Sequence, residues 1–176
     1  MNGAPLRPID HLVPALASAG ALAVIGLSAW DLGVPWLFPS LGPTLAIQSE
    51  LPDSEDAQPW NVVMGHAIGA AVGIASVWLT GAVHDTPVNL AHALSGARLA
   101  SAVVALGTSM ALQSFARAEH PPAQATTLLI AVGALGADLH GAMVLTVGVL
   151  QVAVLGEAVR RLRLRMKPGT QSEFDK

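Results

Sequence analysis

A histidine followed by two prolines, His120, Pro121 and Pro122, interrupts apolar sequence in EHPPAQATTLLIAVGALG (119–136). Neither proline has an N–H to donate, and Pro122 pushes Pro121 away from helical geometry. The triplet therefore ends one segment and pre-sets the start of a helix. A helix start leaves free N–H groups and about half a positive charge, an anion site wherever it lies inside protein or a wet cavity. A second start of this kind is written at Ser40-Leu41-Gly42-Pro43-Thr44, and Pro39 and Thr44 repeat the spacing of Pro121 and Thr126. A charge at the bilayer centre costs roughly 2.5–3.5 kcal/mol on insertion scales. One helix terminus returns about 0.3–1 kcal/mol, so one is not enough. Two termini plus hydrogen bonds to the charge at about 1.5–3 kcal/mol each can offset it. Donors are at hand in Ser40, Thr44, Asn61, His120, Gln124, Thr126 and Thr127. The plainer reading is a tight turn at the membrane surface. A third helix starting at Arg98 puts HPP at the interface, and one starting near Asn89 puts it deeper.

His66 and His140 each stand beside glycine in apolar sequence. An ionisable group at membrane depth is a functional suspect, as a proton relay or a donor to an anion. The alternative is an imidazole bonded to a neighbouring helix. A zinc site from His66, His120, His140 and Asp138 is conceivable, but no H-x-x-x-H or H-E-x-x-H spacing supports it. No metal or other cofactor is expected. With no cysteine, disulfides and thiolate chemistry are excluded. No Walker loop, dinucleotide fingerprint or nucleophile elbow occurs. Gly65, Gly69 and Gly73 recur every fourth residue and cut a groove for close helix packing, within the chain or between copies. Glu157 is spaced to pair with Arg160 or Arg161, and Trp36, Trp60 and Trp78 suit headgroup belts.

The elements that must position these residues read as membrane helices. The chain has 176 residues, 52% hydrophobic and 12% charged, with a mean hydropathy of +0.54; soluble domains carry about 25% charged residues. Spans need about 20 apolar residues. They are expected at Leu12–Trp30 (with Pro14 in the first turn), Trp60–Val83, Arg98–Phe115 and Leu139–Ala158. Short helices are expected from Pro43 to Ser49 and from Pro122 to Leu135. The fold class is thus all-α integral membrane: four full transmembrane helices plus two short half-membrane or re-entrant helices, in two related halves. One domain covers 1–160, with halves at about 10–84 and 88–160. Residues 161–176 are expected to form a basic, disordered cytoplasmic tail. The cations Arg160, Arg161, Arg163, Arg165 and Lys167 place the C-terminus in the cytoplasm of a bacterial inner membrane. They read as an orientation signal and lipid contact, and nucleic acid is not an expected partner. If the short segments are re-entrant, the loop Glu50–Asp56 and HPP face outward. If they cross, there are six spans and the halves are inverted.

The stretches FPSLGPTLAIQ, QPWNVVMGHAIGAAVG and EHPPAQATTLLIA resemble the HPP family of integral membrane proteins over roughly Leu12 to Leu155. The resemblance implies a multi-helix membrane protein with four spans, and some members are linked to nitrite transport. It carries the motif onto His120, Pro121 and Pro122, and onto Pro39, Gly42, Asn61, Gly65 and His66. The expected function is a transporter or channel for a small inorganic anion, nitrite first, in a homo-oligomer within the lipid bilayer. The rivals are a non-transporting scaffold or sensor, and an intramembrane metalloenzyme.

Overall fold

The structure, a computed structural model, describes residues 8–166, and all regular elements among them are helical. Seven α-helices follow in order: α1 (Pro8–Leu32), α2 (Leu41–Glu50), α3 (Pro59–Leu79), the single turn α4 (Val88–Ala91), α5 (Gly96–Phe115), α6 (Pro121–Ala131) and α7 (Leu139–Met166). Short 3-10 turns at Glu55–Ala57 and Ala82–His84 flank α3.

Three helices are long and apolar enough to cross a membrane: Leu12–Leu32 of α1, α3 and α7. The expected fourth, α5, has 20 residues but is not among them. Its dilution is one-sided. Arg98, Ser101, Ser109 and Gln113 are buried, while Leu99, Val103, Met110 and Phe115 are exposed. A polar stripe faces α3 and α6, and the apolar surface faces outward, the reverse of a water-soluble helix.

Hydrogen bonds between helices fix their directions. Ser18 of α1 donates to Leu45 O of α2 and pairs with Ser49. Arg163 of α7 donates to Ser49 O, and Arg160 to Pro52 O. The start of α1, the end of α2, the loop before α3 and the end of α7 therefore share one end of the bundle, the near end. At the far end, Arg98 of α5 donates to Ala131 O at the close of α6 and to Asp85 O beyond α3. The chain thus passes between the two ends six times. Helices α1, α3 and α6 run from near to far, and α2, α5 and α7 run back. The two short helices are not re-entrant hairpins: each continues to the opposite end. The acidic loop and the basic end of α7 accordingly lie on the same side.

Packing repeats across the two parts of the chain. Helix α1 packs on α2 as α5 does on α6, α3 on α6 as α7 does on α2, and α1 on α7 as α5 does on α3. A Cβ added to Gly65 would meet His120 Cβ and Ala118 O, and one added to Gly148 would meet Phe38 and Trp36 O. Phe38 and Trp36 stand to Pro39 as His120 and Ala118 stand to Pro121. Gly73 against Ile130 is likewise matched by Gly156 against Gln48.

Several boundaries differ from the sequence reading, each for a local reason. Helix α1 begins at Pro8, so Pro14 lies inside it. Helix α2 begins at Leu41 rather than Pro43, because Ser40 itself takes helical angles; Pro43 falls in the first turn, where no N–H is missed. Helix α3 ends at Leu79, ahead of Gly81 at φ 73. Helix α6 ends at Ala131 rather than Leu135, because Gly133 takes φ 83 and Leu135 N bonds back to Leu129 O. The basic run expected as a tail from 161 stays helical to Met166, held by Glu157 to Arg160 and Arg161 (2.6 Å each) and by Arg163. Residues 167–176 of that expected tail lie outside the described residues. Trp36 is not in a headgroup belt: it is buried, with Nε1 donating to Ser28 Oγ at 3.2 Å. Trp60 and Trp78 are exposed.

Candidate functional site

The HPP triplet is placed by a reversal. Helix α5 closes at Ala116, Arg117 takes φ 48, and Ala118 N bonds to Gln113 O. The chain then runs inward along α3 to His120, the N-cap of α6, with both prolines in the first turn. The third helix starts at Gly96, yet HPP does not sit at the surface. His120 is 1% exposed and packs on Gly65. The glycine groove makes this approach possible: Gly65 takes His120 and Ala118, Gly69 takes Thr127 and Ala123, and Gly73 takes Ile130. The groove partner is therefore α6 of the same chain.

The first turns of α2 and α6 lie side by side and antiparallel, joined by side chains. Ser40 Oγ and Thr126 Oγ1 are 2.7 Å apart. Thr126 Oγ1 is 2.8 Å from His66 Nδ1. His66 Nε2 is 3.2 Å from Thr44 Oγ1, which is 3.0 Å from His120 Nε2. His120 Nδ1 lies 2.8 Å from Asp56 O. The two imidazoles are 5.2 Å apart at an interplanar angle of 63°. Ser40, Thr44, His66 and Thr126 are fully buried. The helix starts thus converge, but on a space filled by hydroxyl and imidazole groups.

The remaining expected site residues divide. Asn61 Nδ2 donates to Glu119 O at 2.9 Å and pins the chain just before His120. Pro122 is buried in the first turn of α6, while Pro121 and Pro43 are exposed and Gly42 is half-buried with open space at its Cβ position. Gln124 is half-buried, and it borders a recess of about 180 Å³ shared with Met110, Gln113, Glu119, His120 and Pro121. His140 is exposed and does not join the other two histidines. Among the described residues, no group of three or more His, Cys, Asp or Glu side chains is placed to hold a metal.

Two contributors escaped the sequence reading. Gln113 accepts from His120 N at 3.2 Å and donates to Gly65 O and Ser109, tying α5, α3 and the HPP turn together. Its signal was present: Ser101, Ala105, Ser109 and Gln113 recur every fourth residue, one helix face of small and polar side chains. The Asp56 carbonyl, by contrast, has no sequence signature. On the near side, burial and then the charges of Glu119 and Glu55 raise the Asp56 carboxyl above its ordinary value.

No match was found among curated proteins or among solved structures. A family model described as "HPP, transmembrane region" matches residues 4–168. That match spans nearly the whole chain, including HPP, the glycine groove and every side chain of the buried cluster, and this membrane protein belongs to the HPP family.

Proposed function

We propose that this protein passes a small inorganic anion, nitrite being the first candidate, across a bacterial cytoplasmic membrane where α2 and α6 lie side by side. The observation that carries the reading is a knot of hydroxyl and imidazole groups fully buried among helices with apolar outer surfaces. Polar side chains at such depth are costly and mark solute paths. The opposed helix directions and matched glycine contacts support two inverted halves, about 10–84 and 88–160. Short helices that begin midway are where such architectures bind solutes. The basic end of α7 orients the C-terminus to the cytoplasm. On this reading the protein is a carrier and not an enzyme, and the closed cluster is its occluded state. The entering anion takes over donors from Ser40, Thr44, His66, His120 and Thr126. Purified protein in liposomes is expected to take up nitrite faster than protein-free vesicles, and His120→Ala with Thr126→Val is expected to abolish the excess. Unchanged flux in the double variant refutes the residue assignment.

A second reading, a non-transporting scaffold, is favoured by one observation: the cluster satisfies its own hydrogen bonds. It requires no nitrite flux above that of empty vesicles.

A further inference from the structure

The cluster has a direction, and it follows from one acceptor. A backbone carbonyl only accepts, so His120 Nδ1, 2.8 Å from Asp56 O, must carry a hydrogen. A neutral His120 then has a bare Nε2. That atom faces Thr44 Oγ1 at 3.0 Å, and it is buried, so leaving it unpaired is costly. Thr44 has one hydroxyl hydrogen and three acceptors in reach: Ser40 O, His120 Nε2 and His66 Nε2. Ser40 O is already served by Thr44 N, so the hydroxyl donates to His120. His66 Nε2 must then donate to Thr44, which leaves His66 Nδ1 bare to accept from Thr126. Thr126 in turn accepts from Ser40. Every hydrogen in the chain Ser40, Thr126, His66, Thr44, His120 points toward Asp56, and every polar atom along it is paired.

We infer that this chain is a proton relay, and that a proton is the coupling ion of the anion passage proposed above. The coupling rests on that reading; the relay rests on the bond geometry alone. A proton delivered to Ser40 Oγ by the protonated anion moves by successive hand-over. Each oxygen or ring nitrogen takes a proton on its lone pair and releases the one it holds. The last proton leaves His120 Nδ1 on its Asp56 side, for solvent at the near end of the bundle, and nothing is oxidised or reduced. Hydroxyl rotation and ring reorientation then restore the starting polarity. The titratable groups at the exit are Glu119, Asp56 and, beside it, Glu55. Among the described residues, the side chains of Ser40, Thr44, His66 and Thr126 reach only one another, His120 and the Ser40 carbonyl, which lies 2.9 Å from Thr44 Oγ1. The path through the membrane interior thus has no fixed charge to trap the proton.

Two measurements test the relay. Nitrogen-15 NMR of labelled histidines in the folded protein, assigned with single histidine variants, is expected to find His120 protonated at Nδ1 and His66 at Nε2. Finding His120 protonated at Nε2 alone overturns the polarity and the proposal with it. In liposomes holding a pH dye, with voltage clamped and empty vesicles as baseline, nitrite entry is expected to bring protons one for one. Thr44→Val keeps both rings but cuts the link between them, and is expected to slow proton entry at least tenfold. Thr44→Ser, which restores the hydroxyl, is expected to recover most of it. Unchanged proton entry in Thr44→Val overturns the relay. Nitrite entry without protons also overturns it and leaves anion passage standing. If no nitrite enters above baseline, anion passage falls, and the histidine tautomers alone decide the relay.

Discussion

Replacing Gly65 by alanine isolates the contact on which the buried cluster depends. The added Cβ would stand 2.7 Å from His120 Cβ, 3.1 Å from Ala118 O and 3.5 Å from Ala123 Cβ. Carbon atoms rest at about 3.5–4.0 Å, so the start of α6 must withdraw by about 1 Å. None of the three obstacles is the far end of a flexible side chain, so no rotamer change relieves the clash. A 1 Å withdrawal stretches the 3.0 Å bond from Thr44 to His120 beyond hydrogen-bonding distance. Overpacking costs about 1–3 kcal/mol, and each buried group left unpaired costs about 1–3 kcal/mol. Alanine returns about 1 kcal/mol through its better helix propensity. With one group left unpaired, the balance is a loss of about 1–5 kcal/mol. Gly42→Ala is the control: the same chemical change, in the first turn of α2, with nothing within 4 Å of the new Cβ. The assay is thermal unfolding in one detergent, read as the temperature at which the monodisperse chromatographic peak is lost, at a fixed heating time because such unfolding is irreversible. Gly65→Ala is expected to melt several degrees below wild type, and Gly42→Ala at or slightly above it. Equal melting of the two variants would refute the claim that the groove, and not glycine's backbone freedom, holds α6 against α3.

Three further outcomes are expected. Gln48 is fully buried, and among the described residues neither end of its amide has a partner. Gln48→Leu is therefore expected to raise the melting temperature in the same assay, and a fall would expose an undetected partner. Ionised Asp56 weakens folding at neutral pH, because its raised carboxyl holds a proton more tightly in the folded chain than in the unfolded one. Asp56→Asn is expected to melt above wild type at pH 7, with the advantage closing as pH falls through the folded value and below the ordinary one near 4. The sequence has no cysteine, so single cysteines report topology cleanly. Ser54→Cys and Met166→Cys are expected to react with an impermeant maleimide from one side of the membrane and Thr86→Cys from the other. Labelling of Ser54→Cys and Met166→Cys from opposite sides would refute six passes.

What the residues disclosed in advance was local. Pro121 and Pro122 announce a helix start, because a missing N–H and a fixed φ act on the nearest few residues. Gly65, Gly69 and Gly73 announce a groove, because helical spacing puts them on one face. The partner of that groove was not legible, since nothing in the glycines names α6 over a second copy. Direction was hidden for the same reason. It is fixed by contacts such as Arg163 with Ser49 O and Arg98 with Ala131 O, whose partners are carbonyls that every residue owns. Trp36 misled because an amphipathic ring suits a headgroup belt and a buried seryl partner equally well. The polar stripe of α5 was written at helical spacing. It was passed over because hydropathy averages a helix over all its faces.

The buried cluster also departs from the matched packing of the two parts, and the departure locates the chemistry. Where the HPP turn supplies His120 against Gly65, the corresponding turn supplies Phe38 against Gly148. Val149 and Val152, buried on α7 beside that contact, leave it dry. On the proposed reading, a solute passing between α2 and α6 would meet hydrogen-bonding groups on the α3 and α6 side and hydrocarbon on the other. Five bonds close the polar side. At about 0.5–1.5 kcal/mol net for each, breaking two or three costs roughly 1–5 kcal/mol. An anion that accepts two or three of the freed donors returns about 1.5–3 kcal/mol per bond. On the proposed carrier reading, the closed form is the resting state without solute, and the open form is expected to become favourable only when an acceptor of negative charge arrives. A neutral or cationic solute offers no such return, so on that reading the same five bonds that hold the site shut would also select what opens it.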